Sequence, residues 1–173
     1  MWVPDSAADV STKVLHTMTS RLQSTSRTFT VDQANATLPL VRAITKDLVG
    51  LSRQLTERRL QLAELVGGRS LRPGDPYADE LLESKRENEK ELARVQGFVD
   101  ELLELGVEPK HALDGLIDFP SSLDGSPVYL CWKLGEPEVM YYHEWGAGYA
   151  GRKPLPATVA SPVHNDELEH SCL

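Results

Sequence analysis

The stretch HEWGAGYAGRKP, residues 143–154, sets a histidine, a glutamate, an arginine and a lysine around three glycines. The glycines are spelled Gly146-x-Gly148-x-x-Gly151, as in a dinucleotide-binding fingerprint. That motif works because its glycines let the backbone approach a pyrophosphate held on a helix N-terminus. Here Arg152-Lys153-Pro154-Leu155-Pro156 follows the last glycine, and two closely spaced prolines do not open a long helix. Too little chain follows for a second βαβ unit, so the dinucleotide reading fails. A smaller one survives. Backbone N–H groups around Gly148 and Gly151 can form an anion-binding nest, with Arg152 adding bidentate contacts to a phosphate or carboxylate. Against it stands a tight loop whose glycines merely take positive φ.

Cys131, His143 and Glu144 share the segment VYLCWKLGEPEVMYYHEW, and hairpin register decides whether they meet. A two-residue turn at Gly135-Glu136 puts Cys131 opposite Met140 and His143 on the other face. A three-residue turn, Gly135 to Pro137, puts Cys131 opposite Tyr141 and Tyr129 opposite His143. Cys131 and His143 then become diagonal neighbours on one face. Pro137 cannot donate to a ladder, which favours the second register. Two ligands are too few for zinc, so Asp118 or Glu144 would have to complete a set. None of the usual metal spacings occurs. The expectation is therefore no resident metal or cofactor, with Cys131 a buried small residue and His143 a hydrogen-bonded rim residue.

Asp118 interrupts the apolar run GLIDFP, and a buried acid needs a partner, for which Arg152 is the candidate. Asp118, His143, Glu144 and Arg152 make the candidate polar cluster of the chain. Asp124-Gly125 and Glu136 read as turn chemistry. His164, His170 and Cys172 are ligand types in a terminal run without apolar periodicity.

Composition bounds what such a cluster could serve. A chain of 173 residues with 40% hydrophobic content is one domain with loose ends. A net charge of -8 and a pI near 5.1 argue against nucleic-acid binding, which wants a basic surface. Two scattered cysteines give no disulfide framework and fit a reducing cytosol. No signal peptide and no run of about 18 apolar residues occurs, so neither secretion nor a membrane span is expected. A cytoplasmic protein is the expectation.

The elements that would position these residues follow from periodicity. Residues 1–27 read as a disordered or weakly helical extension. Thr30 and Gln33 match a capping box, so a helix should start near Val31, with a kink or restart at Pro39. Val41, Ile44, Leu48, Leu51, Leu55, Leu62 and Leu65 then keep one apolar seam, with Arg58 breaking it. Gly67-Gly68 and RPGDP reverse the chain. A second helix over roughly Tyr77 to Leu105 carries Leu81, Leu92, Val95, Val99 and Leu102, with Lys85 and Asn88 in the intervening slots. Two long helices on a short turn run antiparallel, which brings Arg58 near Glu87 and Asn88. GLIDFP, VYLCWKL and EVMYYHEW read as three antiparallel strands, reached through VEPKHALD. The predicted fold is α+β: a coiled-coil-like helical hairpin over 31–105, then a small three-stranded sheet within 107–155. Together they form one domain over 28–157, followed by a flexible tail over 158–173.

The segments FTVDQANATLPLVR, GLIDFP, YLCWKLGEPEV, YYHEW and GYAGRKP resemble the bacterial family catalogued as domain of unknown function 2203, over about Arg27 to Leu155. The resemblance implies that Gly148-Tyr149-Ala150-Gly151-Arg152 is the typical portion and that Gly146 completes the glycine motif by accident. It implies no activity. The main expectation is a non-catalytic interaction or scaffold protein, a homodimer through its hairpins, because flanking positions such as Val49, Leu60 and Phe98 seek apolar cover. The alternative is a small enzyme or an anion- or metal-binding protein with its site at the sheet edge. Whether any catalysis occurs stays open at this point.

Overall fold

The computed structural model describes residues 27–66 and 76–156. The expected N-terminal extension, the interhelical turn and the C-terminal tail lie outside these residues. Helix α1 spans Val31–Val66 and helix α2 spans Pro76–Glu104. Five strands follow: β1 (Glu108–His111), β2 (Leu116–Leu123), β3 (Ser126–Lys133), β4 (Tyr141–Glu144) and β5 (Lys153–Pro154). The sheet is antiparallel with order β1-β2-β3-β4-β5.

The expected sheet of three strands is therefore corrected to five. Strand β1 lies inside the segment read as a connection, and β5 lies just after the glycine turn. Both are edge strands, short and built from Glu, Lys, His and Pro. Such edges resist further pairing, and for the same reason they lack the branched and aromatic runs that mark a strand in sequence. Strand β4 is also shorter than EVMYYHEW suggested, because residues 137–140 belong to the preceding loop.

Helix α1 starts where its capping box predicts. The Thr30 backbone N–H donates to Gln33 Oε1, and the Gln33 N–H donates to Thr30 Oγ1. The helix continues through Pro39 without the expected restart. Phe29, Val31, Ala34 and Leu38 are all buried there, and that packing outweighs one lost backbone bond. The entry to α1 is tied to the sheet: the Phe29 N–H donates to the Pro120 carbonyl, and Ser121 Oγ donates to the Phe29 carbonyl.

The core fills the space between the inner half of the hairpin and one face of the sheet. Val41, Ile44, Leu48, Leu51, Leu55, Val95, Val99 and Leu102 meet Ile117, Phe119, Leu130 and Trp132. Period-two alternation then forces the intervening strand residues onto the face away from the helices. Asp124 and Gly125 both take positive φ and close the β2–β3 hairpin with a two-residue turn, as their identities suggested.

Beyond Leu55 the hairpin changes character. Over 56–64 and 78–94 no side chain is buried. Arg58 Nη1 lies 3.3 Å from Glu91 Oε2, one turn along from the expected Glu87 and Asn88. The half-buried positions of this part of α2 are Ala78, Leu81, Ser84, Asn88 and Glu91, while Leu92, expected in the seam, is exposed. A sequence of near-equivalent apolar and polar steps does not distinguish the two phases. Packing onto the sheet through Val95 and Val99 does.

Candidate functional site

One cross-strand row on the helix-free face runs through all five strands: Glu108, Asp118, Cys131, Tyr141 and Pro154 are successive partners. Tyr129 pairs with His143 beside it. This is the register of the three-residue turn, with the loop around Glu136 held by other contacts. It makes Cys131 and His143 diagonal neighbours and sets Asp118 directly across from Cys131.

The three side chains meet. A carboxylate oxygen of Asp118, the Cys131 sulfur and an imidazole nitrogen of His143 all lie within 4.8 Å of one another, and all three residues are buried. His143 Nε2 lies 3.0 Å from Asp118 Oδ2. The other ring nitrogen, Nδ1, lies 3.0 Å from the Glu144 carbonyl. A carbonyl only accepts, so Nδ1 carries a hydrogen and donates it. Burial raises the Asp118 carboxyl above its usual value, against the lowering effects of the Cys131 thiol, His143 and Lys110. Burial also pushes the Cys131 thiol up, reinforced by the neighbouring Asp118. Asp118 Oδ1 is buried and makes no well-formed hydrogen bond among the described residues.

Aromatic groups frame the cluster. The Tyr129 ring packs at 5.5 Å from the His143 ring and stacks on Trp145 at 5.5 Å. Tyr129 Oη donates to Glu108 Oε1, and Lys110 Nζ sits over the Tyr129 ring. Burial and the Glu108 carboxylate push the Tyr129 phenol up to about 12.

The four-residue polar cluster expected from sequence divides into three parts. Asp118 and His143 join, although His143 is buried, not on the rim as expected. The Glu144 side chain is exposed and accepts from Lys153 Nζ at 2.7 Å, which lowers its pKa. Arg152 is not the partner of Asp118. Its Nη1 and Nη2 reach Glu136 at 2.9 and 2.7 Å, and Nη2 also donates to the Cys131 carbonyl. The guanidinium lies over Tyr141 and near Tyr149, at 4.3 and 5.1 Å from their ring centres. Glu136 is thus the residue that sequence reasoning missed. It also accepts the Lys133 N–H on Oε2, and its carbonyl accepts the Trp132 indole N–H and an Arg42 N–H.

The anion nest does not survive this geometry. Residues Tyr149–Gly151 form one short 3-10 turn, not a long helix. The Gly151 and Arg152 N–H groups donate to the Gly148 and Tyr149 carbonyls, and the Arg152 guanidinium is committed to Glu136.

Fold and site together define an α+β protein in which a helical hairpin backs one face of a five-stranded sheet and a buried Asp–Cys–His cluster occupies the other. The chain belongs to the family of uncharacterized conserved proteins DUF2203, whose match covers residues 27–155. No curated protein matches it. No solved structure matches it either.

Proposed function

We propose that this chain is a non-catalytic interaction protein that docks through the outer part of its helical hairpin, with a second copy of itself as the first partner. The observation that carries this reading is the contrast within the hairpin. Its inner half packs on the sheet, while 56–64 and 78–94 bury no side chain yet keep helical structure. From Leu55 to Val66 that arm extends roughly 17 Å at the helical rise of about 1.5 Å per residue. Leu60 and Leu82 are each more than half exposed on it, and Leu92 is also exposed.

Isolated helices gain most of their stability from burying an apolar face, and this arm has little of its own to bury. Its interhelical contact includes the ion pair of Arg58 with Glu91, which is half exposed on the arginine side and worth little. Pairing two arms would cover the leucines and leave the sheet face free. No helix among the described residues is long and apolar enough to cross a membrane, and the acidic charge disfavours nucleic acid as the partner. The cytoplasmic placement that the scattered cysteines favour belongs to the same reading.

Sedimentation of the full chain across a hundredfold range of concentration tests it. A dimer that dissociates in the double variant Leu60→Glu, Leu82→Glu is expected. A wild-type chain that stays monomeric throughout would remove self-association, and with it the reason to assign the arm a docking role.

A further inference from the structure

The hydrogen-bond pattern of His143 poses a problem of its own. Nδ1 donates to the Glu144 carbonyl, so a neutral imidazole points its Nε2 lone pair at Asp118 Oδ2, 3.0 Å away. Two lone pairs at that distance repel, and the contact persists only with a positive particle between them. A proton is one such particle. The thiol of Cys131, within 4.8 Å of a carboxylate oxygen of Asp118 and a ring nitrogen of His143, suggests the other.

We propose that Asp118, Cys131 and His143 form a metal site for one thiophilic divalent cation of the zinc class, bound through a carboxylate oxygen, Sγ and Nε2. Donor chemistry selects the ion. A thiolate, an imidazole and a single carboxylate suit zinc, cobalt or ferrous iron, whereas magnesium and calcium take sets of oxygens. Charge selects it again. One carboxylate and one thiolate neutralise a divalent cation, so the buried cluster carries no net charge when filled. The exchange balances: the metal displaces the thiol proton and the proton shared by Asp118 and His143, and both leave to solvent.

Geometry permits the exchange with small movements. Zinc-to-ligand bonds of about 2.0–2.3 Å place tetrahedral ligands roughly 3.3–3.7 Å apart. Nε2 and Oδ2 would open by about half an ångström, and Sγ stays within the spread already present. The supporting contacts of a metal-binding histidine are in place: Glu144 fixes the tautomer through Nδ1, as carbonyls do at many such sites. Asp118 Oδ1, buried and without a well-formed bond, is a further ligand atom that has only the Cys131 thiol for a neighbouring donor. Arg152 lies close enough to ease formation of the Cys131 thiolate, opposing the burial that otherwise holds the thiol protonated. Three protein ligands leave the fourth position to water or a small anion.

The test uses the full chain carrying Cys172→Ser, His164→Ala and His170→Ala, which removes the terminal ligand types and leaves Cys131 as its one thiol. Titration with cobalt(II) is expected to produce a thiolate-to-cobalt charge-transfer absorption that saturates at one equivalent and is displaced by zinc. Only Cys131 can supply that band in this background. Its absence, with the fold intact by circular dichroism, would overturn the proposal. Binding without the band would equally overturn it, by placing cobalt on surface histidines. Asp118→Asn, which keeps shape and volume, is expected to lose stoichiometric binding while the chain still folds. Unchanged affinity in that variant would exclude Asp118 from the site and refute the assignment.

Discussion

His143 Nε2 sits 3.0 Å from Asp118 Oδ2, with the two side chains only 3% and 2% exposed. Neither partner reaches water, so each depends on the other or on what lies between them. Removing one leaves a buried polar group without its complement, a change that commonly costs about 3 kcal/mol. His143→Ala in metal-free protein is expected to lose about that much in urea denaturation followed by tryptophan fluorescence. Asp118→Asn can still donate an N–H to Nε2 and should lose less, about 1 kcal/mol. Equal losses in the two variants would show that an amide N–H of the same shape cannot take the place of the shared proton.

Tyr129 gives the chain an alkaline limit. Burial and the Glu108 carboxylate push its phenol from 10.0 to about 12. Below about pH 10 both folded and unfolded states keep the proton, and the stabilising contribution is complete. Between about 10 and about 12 the unfolded chain ionises first, so stability falls as pH rises through the folded value. Tyr129→Phe should remove that part of the decline. Denaturation midpoints of the two proteins compared at about pH 9 and about pH 11 report it. Parallel losses in both would assign the alkaline effect to other groups.

Two glycines should respond in opposite directions to the same change. Gly115 has φ +66, and a Cβ there would stand 2.7 Å from Leu134 Cβ and 3.0 Å from Thr45 Cγ2. Gly115→Ala is expected to destabilise by more than about 2 kcal/mol, because strain and overlap add. Gly97, within α2, has open space where a Cβ would sit. Gly97→Ala is expected to stabilise by roughly 0.5–1 kcal/mol through helix propensity. Thermal melts of both variants decide it. A destabilised Gly97→Ala would show that the open side of α2 is a contact surface in solution.

Parts of this arrangement are legible in the residues and parts are not. Thr30 and Gln33 announce the start of α1 because a capping box is local chemistry. The meeting of Cys131 with His143 follows from a three-residue register, which Pro137 already favoured. The role of Glu136 is hidden, since nothing in a Gly-Glu-Pro turn says that Arg152, sixteen residues on, will return to it. Asp118 looked like a partner for that arginine because charge alone pairs an acid with the strongest base nearby. Register decided otherwise, placing Asp118 across from Cys131 and within reach of His143. The edge strands β1 and β5 are illegible for a different reason: edges are selected to look unlike strands.

Arg152 should not tolerate lysine. The guanidinium makes two parallel bonds to Glu136, adds one to the Cys131 carbonyl and stacks over Tyr141. An ammonium reproduces the charge but neither the fork nor the stacking. Arg152→Lys is expected to cost about 1–2 kcal/mol in denaturant titrations. Because Glu136 also anchors the loop against α1 through its carbonyl, the same variant should speed exchange of the Trp132 indole N–H and of the Lys133 amide. A loss below about 0.5 kcal/mol would mark the pair as a surface contact of little weight.

The outer hairpin should prove dispensable for folding. Among the described side chains, every buried residue of α1 lies at or before Leu55, and every buried residue of α2 lies at or after Val95. A chain from which residues 57–92 are removed, with Thr56 and Ala93 joined by a short glycine–asparagine turn, retains all of them. Hydrophobic burial is the dominant stabilising term, so the shortened protein should unfold within about 1–2 kcal/mol of the parent. Core packing around Trp132 should leave its fluorescence unchanged. Calorimetry of the two proteins makes the comparison. If the shortened chain folds and no longer self-associates, the arm is present for contact with a partner and not for holding the sheet. If it fails to fold, the exposed leucines and the Arg58–Glu91 pair contribute more to stability than their accessibility allows, and a docking role for the arm loses its basis.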